Sequence, residues 1–225
     1  MSQLGPRAQR QAAAFARHDP LWPAQLTVAA AIALSLDLPS TLTIKQVWLL
    51  PSIEGVLLLA LVASTPWLPA RHHRRRRSVA LSLVGLVSAS NLVNLALLVH
   101  ALLNGHVNNA HQLVLAGVEI WITNVLLFAV LYWELDRGGP FDRHGEQLQA
   151  PDFLFPQMTE PELGGMNWLA GYVDYLYTSF TNASAFSPTD TMPLSPAAKM
   201  MMLVQSGASL VTLGMVFARA INILA

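Results

Sequence analysis

The residues best equipped for chemistry in this chain lie between Tyr172 and Asp190. Thr178, Ser179, Thr181, Asn182 and Ser184 put hydroxyls and an amide into a helix-forming stretch, Tyr172–Ser184, that also carries Tyr172, Tyr175, Tyr177 and Phe180. The polar turn Ser187-Pro188-Thr189-Asp190 follows, and then the apolar run Ala198–Leu224. Such groups suit a helix buried among protein neighbours near a polar cavity, not one bathed in lipid. The seven histidines, at positions 18, 72, 73, 100, 106, 111 and 144, show no metal-ligand spacing and no HExxH. There is no cysteine, phosphate-binding Gly-Lys-Ser/Thr loop or nucleophile elbow. No catalytic residue, metal site or cofactor is expected, and an enzyme is the least favoured class.

Two further sets of polar residues interrupt apolar sequence. At 100° per residue, Gln205, Ser209, Thr212 and Arg219 fall within about 80° of one another on the last helix. Gly207, Gly214 and Ala218 form a second, small-residue stripe suited to close helix approach. The polar stripe suits a pore-lining face, and equally suits residues that join helices to one another. Asp37, Glu54 and Glu119 sit in or beside apolar runs, where acids are costly and face protein. A cation or proton relay is one use for them. Pairing with Arg219, Lys45 or His100 is the structural alternative, and no regular spacing joins the three acids.

The elements that must position these groups are membrane helices. Of 225 residues, 53% are hydrophobic and 12% charged, about half the charge of an ordinary soluble domain. Apolar stretches occur near 21–38, 47–68, 78–103, 111–134 and 198–224. All but the first exceed the ~20 residues that carry a helix across ~30 Å of hydrocarbon. The first is retained rather than cleaved, since it contains Pro23 and ends at Asp37-Leu38-Pro39 without a small-x-small site. Tyr172–Ser184, at 13 residues or about 20 Å, is too short to cross.

Charge orients the chain. Arg7, Arg10 and Arg17 precede the first run and five arginines crowd Arg71–Arg77, while 39–46 holds only Lys45 and 104–110 has no basic residue. By the positive-inside rule the N-terminus and the Arg71–Arg77 loop are cytoplasmic. That loop reads as an orientation signal, not a nucleic-acid patch. Four spans then return the chain inside at Asp136. Segment 136–165, rich in Gly and Pro, reads as a polar linker of net charge about −4; it is either a solvated loop or a cation-concentrating rim.

From Gly171 to Ala225 the residues resemble the pore module of the potassium-channel superfamily, in which an aromatic-rich pore helix leads through Thr-x-x-Thr-x-Gly-Tyr-Gly-Asp to an inner helix. The matching run here is Asn182-Ala-Ser-Ala-Phe-Ser-Pro-Thr-Asp190, followed by Pro193, Ser195 and Lys199, with Gly207 and Gly214 near the inner-helix glycines. The filter glycines are replaced by Ser187 and Thr189 and the tyrosine by Pro188, whose φ is fixed near −65°. The carbonyl ladder that selects potassium is therefore not implied. What the resemblance implies is a polar constriction, Ala185, Phe186, Ser187, Pro188, Thr189 and Asp190, with one Asp190 carboxylate per subunit. Gln205, Ser209 and Thr212 would line the vestibule. Entry from the cytoplasm would make it an inverted pore loop, the arrangement of ionotropic glutamate receptors; a sixth complete span over 165–186 is the alternative. The whole chain is also similar to a family of uncharacterised bacterial membrane proteins known only as a domain of unknown function.

The expected fold is an all-α membrane protein with five transmembrane helices and one re-entrant pore-helix loop before the last helix. Its parts are a cytoplasmic tail (1–20), a four-helix membrane region (21–135), the linker (136–165) and a pore-loop and inner-helix module (166–225). The expected function is passive cation conduction by a homotetramer in the inner (plasma) membrane, with the bilayer and monovalent cations as partners and no nucleic acid. A non-conducting membrane scaffold and a small secondary transporter are the alternatives, although the duplicated halves common in transporters are missing.

Overall fold

Hydropathy and turn residues set the helix boundaries in the computed structural model, which describes residues 20–38, 73–103, 110–143, 149–160, 162, 168–184 and 190–224 and positions 52, 53, 55, 56, 58 and 59. The chain is mostly helical: α1 (Trp22–Asp37), α2 (His73–Leu103), α3 (Ala110–Leu135), a 3-10 turn (Asp136–Gly138), α4 (Pro140–Arg143), β1 (Phe153–Leu154), α5 (Pro156–Thr159), α6 (Tyr172–Ser184), β2 (Met192–Pro193) and α7 (Pro196–Leu224). Among the described residues, three helices are long and apolar enough to cross a membrane, over Arg77–Leu102, His111–Gly138 and Pro196–Arg219. The expected span 47–68 falls largely outside the described residues; its six described positions are helical.

Local chemistry explains the ends. Proline is tolerated in the first turn of α1, and Leu38 turns extended at ψ 138° before Pro39, as the residue before proline prefers. With 16 residues α1 reaches about 24 Å, less than the ~30 Å hydrocarbon core. Helix α7 starts at Ser195-Pro196, where the Ser195 hydroxyl accepts the Ala198 N–H at 3.2 Å and proline occupies the first helical position. In α6, Asp174 Oδ2 accepts the Gly171 N–H at 2.8 Å, the back-reaching half of a capping box.

Helix α3 is the centre of the molecule. It packs against α1, α2, α6 and α7 and is the most buried of the three long helices, with α7 the least. Along its second half Leu127, Phe128, Val130 and Trp133 meet Val28 and Ile32 of α1, Leu83 and Val87 of α2, and Phe153, Tyr175 and Ala198. Along its first half Leu113, Ala116 and Ile120 meet Leu95 and Leu98 of α2 and Ala208 of α7. Gly117 permits the closest approach, since a Cβ there would collide with the Val216 side chain of α7.

The direction of α6 is set by its neighbours on α3. Its first residue, Tyr172, packs edge-on against Trp133; its Ala183 carbonyl meets Trp121, midway along α3. Helix α7 also begins beside the Trp133 end, through Ala198, and reaches Gly117 at Val216. Both helices therefore run antiparallel to α3 and parallel to each other. Consecutive parallel helices need a return between them: Thr191 lies beside Thr178, Oγ1 to Oγ1 3.3 Å, and Met192–Pro193 pairs antiparallel with Phe153–Leu154.

The segment expected as a polar linker is folded where it is described. Asp136, Arg143, Phe153 and Phe155 in it are all buried. Gly138 and Gly139, at φ 81° and 99°, make the reversal that turns the chain back over α3, backbone angles that glycine adopts without steric cost.

Replacing Gly117 with Leu should lower stability by about 1–3 kcal/mol through overpacking, because Val216 is stiff and carried on a helix. Replacement of Gly85, around which a Cβ meets nothing within 4 Å, by Ala should be neutral or mildly stabilising. Unfolding midpoints in detergent test the contrast.

Candidate functional site

A helix that stops partway along its neighbours leaves its last four carbonyls without intrahelical partners. In α6 three of those carbonyls, at 181, 182 and 183, are met by side chains. The Ser184 hydroxyl donates to Thr181 O at 3.1 Å, Ser206 of α7 to Asn182 O at 3.3 Å, and the Trp121 indole N–H of α3 to Ala183 O at 3.3 Å. One turn earlier, Gln205 Nε2 donates to Ser179 O at 3.0 Å.

These contacts belong to a polar seam where α3, α6 and α7 meet. The Gln205 amide is its hub. Its Oε1 accepts from the Tyr132 hydroxyl at 2.5 Å and from Asn182 Nδ2 at 2.8 Å, while its Nε2 also donates to Ser179 Oγ at 2.6 Å. Ser179 in turn donates to Val125 O at 2.6 Å. Asn124 Nδ2 bridges Gln205 O at 3.2 Å and Ser209 Oγ at 2.9 Å. Thr212 folds back on its own helix, donating to Ala208 O at 2.7 Å. Gln205, Ser209 and Thr212 are 0%, 1% and 2% exposed.

Of the stripe seen in the sequence, Gln205 and Ser209 face α3 and α6 of the same chain. A helical wheel shows that polar residues share a side and not which neighbour that side meets. Ser179 and Asn182 belong to the stretch singled out in the sequence, whereas Asn124, Ser206 and Tyr132, their partners in the seam, were not predicted as site residues. Their signal was polarity inside apolar spans. Of the expected constriction, Asp190 is described and exposed, whereas Ala185, Phe186, Ser187, Pro188 and Thr189 lie outside the described residues.

At its other end α6 is held by a buried charge cluster. Asp136 and Arg143 are 0% and 1% exposed and sit 3.8 Å apart. Asp136 Oδ1 accepts the Asp152 and Phe153 N–H groups at 2.7 and 3.3 Å, and its Oδ2 accepts the Tyr175 hydroxyl at 2.6 Å. Arg143 donates through Nη1 to the Tyr175 oxygen and through Nη2 to Trp133 O at 2.7 Å. One carboxylate therefore ties together the end of α3, the folded segment and the start of α6. The exit leg of the return is tied to the same segment by the β1–β2 pairing and by Leu194 N–H to Asp152 O at 2.8 Å. Nearby, burial raises the Asp174 carboxyl above its ordinary range, while the Gly171 N–H and Arg143 pull it back.

The intramembrane acids are arranged differently from expectation. Glu119 of α3 and Asp37 at the end of α1 lie close to each other. Arg219 Nε is buried with no hydrogen-bond partner. Glu54 lies outside the described residues. Among the described residues no group of three or more His, Asp or Glu is placed to hold a metal. A groove of about 450 Å³ between α3 and α6, lined by Trp121, Val125, Val173, Tyr177 and Phe180, is wholly apolar and offers an ion nothing.

Gln205→Leu should cost about 1–3 kcal/mol for each buried group it strands, Tyr132 and Ser179 first, and an unfolding midpoint in detergent reads the loss. The two acids at the entry of α6 should separate. Asp136→Asn breaks a buried pair and should cost about 3–5 kcal/mol. The Asp174 pKa is raised in the folded state, so folding favours its protonated form and loses stability as pH climbs through that value; Asp174→Asn, which keeps an acceptor for Gly171, should change stability by less than about 1 kcal/mol at neutral pH. Comparison with protein-family models, with curated proteins and with solved structures finds no match for this chain.

Proposed function

We propose that this chain is a subunit of an oligomeric, tetrameric cation channel-like membrane protein that conducts passively, with Ala185–Asp190 as its constriction. One observation carries the proposal: a helix that ends midway along α3, a return strand, and a parallel spanning helix. That sequence of directions is what a re-entrant loop requires. Irregular backbone is tolerated at membrane depth only where protein or a water-filled cavity shelters it, and the end of α6 is sheltered by Trp121, Ser206 and Gln205. The carbonyl end of α6 carries partial negative charge and leads directly into residues 185–189. With the exposed Asp190 it favours cations over anions.

In this proposal the membrane is the plasma membrane, with five spans and the N-terminus inside. Residues 136–143 and 149–160 and both legs of the loop lie on the cytoplasmic side with Arg71–Arg77. Arg77 supports the common side, since it bonds the Glu134 carbonyl at the end of α3. Gln205, Ser209 and Thr212 are occupied within the chain, so the vestibule is built from the return segment and the opposite face of α7 instead. The same sealed seam favours a second function, a non-conducting membrane scaffold that keeps this architecture for assembly.

Cation flux into liposomes decides between them. The wild-type chain should leak monovalent cations above empty vesicles, and Asp190→Asn should reduce that leak while leaving stability unchanged. No leak under any gradient, voltage or pH would leave the scaffold standing and end the channel proposal.

A further inference from the structure

The groove between α3 and α6 is too apolar for an ion and too short for a spanning helix. We propose that it seats one acyl chain of a phospholipid, drawn from the leaflet at the α6 start. Its volume is about 450 Å³, and Trp121, Ile122 and Val125 of α3 and Val173, Tyr177 and Phe180 of α6 line it with apolar surface alone. Sites that hold small hydrophobic ligands have volumes of about 300–1,000 Å³ and mostly apolar, aromatic walls.

Depth and length choose the occupant. At one end of α6, Tyr172 stands edge-on to Trp133, near the end of α3. At the far end of the groove, Phe180 stands edge-on to Trp121 with 5.8 Å between ring centroids. From Trp121 to Leu135, the last residue of α3, the axis runs about 21 Å. Half of a bilayer, headgroups included, is about 20–22 Å. The Trp121–Phe180 pair is therefore a floor near the midplane, and the groove belongs to a single leaflet. Its α6 wall, Val173, Tyr177 and Phe180, is exposed and only about 10 Å long. A spanning helix of a second copy would need a face nearer ~30 Å tall. A stable protein interface also takes roughly 20–30 residues a side, and eight line this groove. A lipid tail is one leaflet deep and meets the whole groove. Two helices touch it there instead of one, and each added carbon contact contributes dispersion energy. The site is independent of whether the protein conducts.

The test reconstitutes the full chain in phosphatidylcholine vesicles whose acyl chains carry bromine near the methyl end or near the carboxyl end. Bromine quenches the fluorescence of an indole it touches, and subtracting the signal of Trp121→Phe isolates Trp121. Bromine near the methyl end should quench Trp121 at least about twofold more than bromine near the carboxyl end, because the floor lies at the midplane. The double variant Ile122→Phe, Val173→Phe fills the groove from both walls and should remove most of that quenching. Equal quenching by the two probes, or quenching that the filled groove leaves unchanged, overturns the proposal. No quenching by either probe also overturns it, and is the result expected if a second copy covers the groove. Trp121 holds the Ala183 carbonyl, so a second measurement avoids its replacement. In native mass spectrometry the wild-type chain should retain one phospholipid that the filled variant loses; a wild-type chain released bare, or equal retention by both, counts against the site.

Discussion

The end of α6 is where this structure is most constrained. In water, a helix terminus is satisfied by solvent and its position hardly matters. In a hydrocarbon slab each unmet carbonyl costs several kcal/mol, so a helix can stop at depth only where neighbours bring donors to it. Trp121 from α3 and Ser206 from α7 each bring one to its last carbonyls, and Gln205 reinforces the preceding turn. Polar residues that interrupt the apolar spans of α3 and α7 supply donors to this helix end. They also tie the packing together, because neither helix can leave the seam without stranding α6.

The opposite end of α6 solves a different problem. A buried ion pair is rarely a net gain over apolar packing, yet Asp136 and Arg143 are sealed from solvent. Their value is connectivity. Asp136 meets the backbone of the folded segment and the Tyr175 hydroxyl at once, and Arg143 reaches the Trp133 carbonyl at the end of α3. Phe153 and Phe155 wedge edge-on against Tyr175, adding apolar contact that a charge pair alone lacks. The loop is thus gripped at both legs by one short segment, which explains why that segment is folded despite its Gly and Pro content.

Much of this was legible in the sequence. The edges of α6 coincide with the polar-aromatic stretch Tyr172–Ser184, and the long helices begin and end within a few residues of their hydropathy limits, because periodicity and capping are local properties. The direction of the Gln205 stripe was not legible, since it depends on which helix lies alongside. The Asp37–Glu119 contact was hidden for the same reason: it arises from α1 lying against α3, far apart in sequence. The fold of 136–143 and 149–160 left no periodic signal, because it is built from single anchors. Asp136 directly after a span, with Arg143 seven residues on beyond a Gly-Gly turn, was the available clue.

The distribution of satisfied and open groups bears on how a path could exist at all. Inside one chain the seam is closed: its amides and hydroxyls bond one another or the backbone, leaving no aligned acceptors for an ion. In the proposed channel the route would therefore run between copies, along the outward side of α7. On that side Gly207 and Gly214 have nothing within 4 Å of a built Cβ, and they lie two helical turns apart, which brings them back to nearly the same bearing. Small residues at that spacing let a neighbouring backbone approach closely. Asp190 stands at the loop exit on the same end of the molecule as the start of α7, so a symmetric set of copies meeting along α7 would bring the carboxylates towards a common axis. Assembly, and not the interior of the subunit, is where selectivity in such a protein would have to be built.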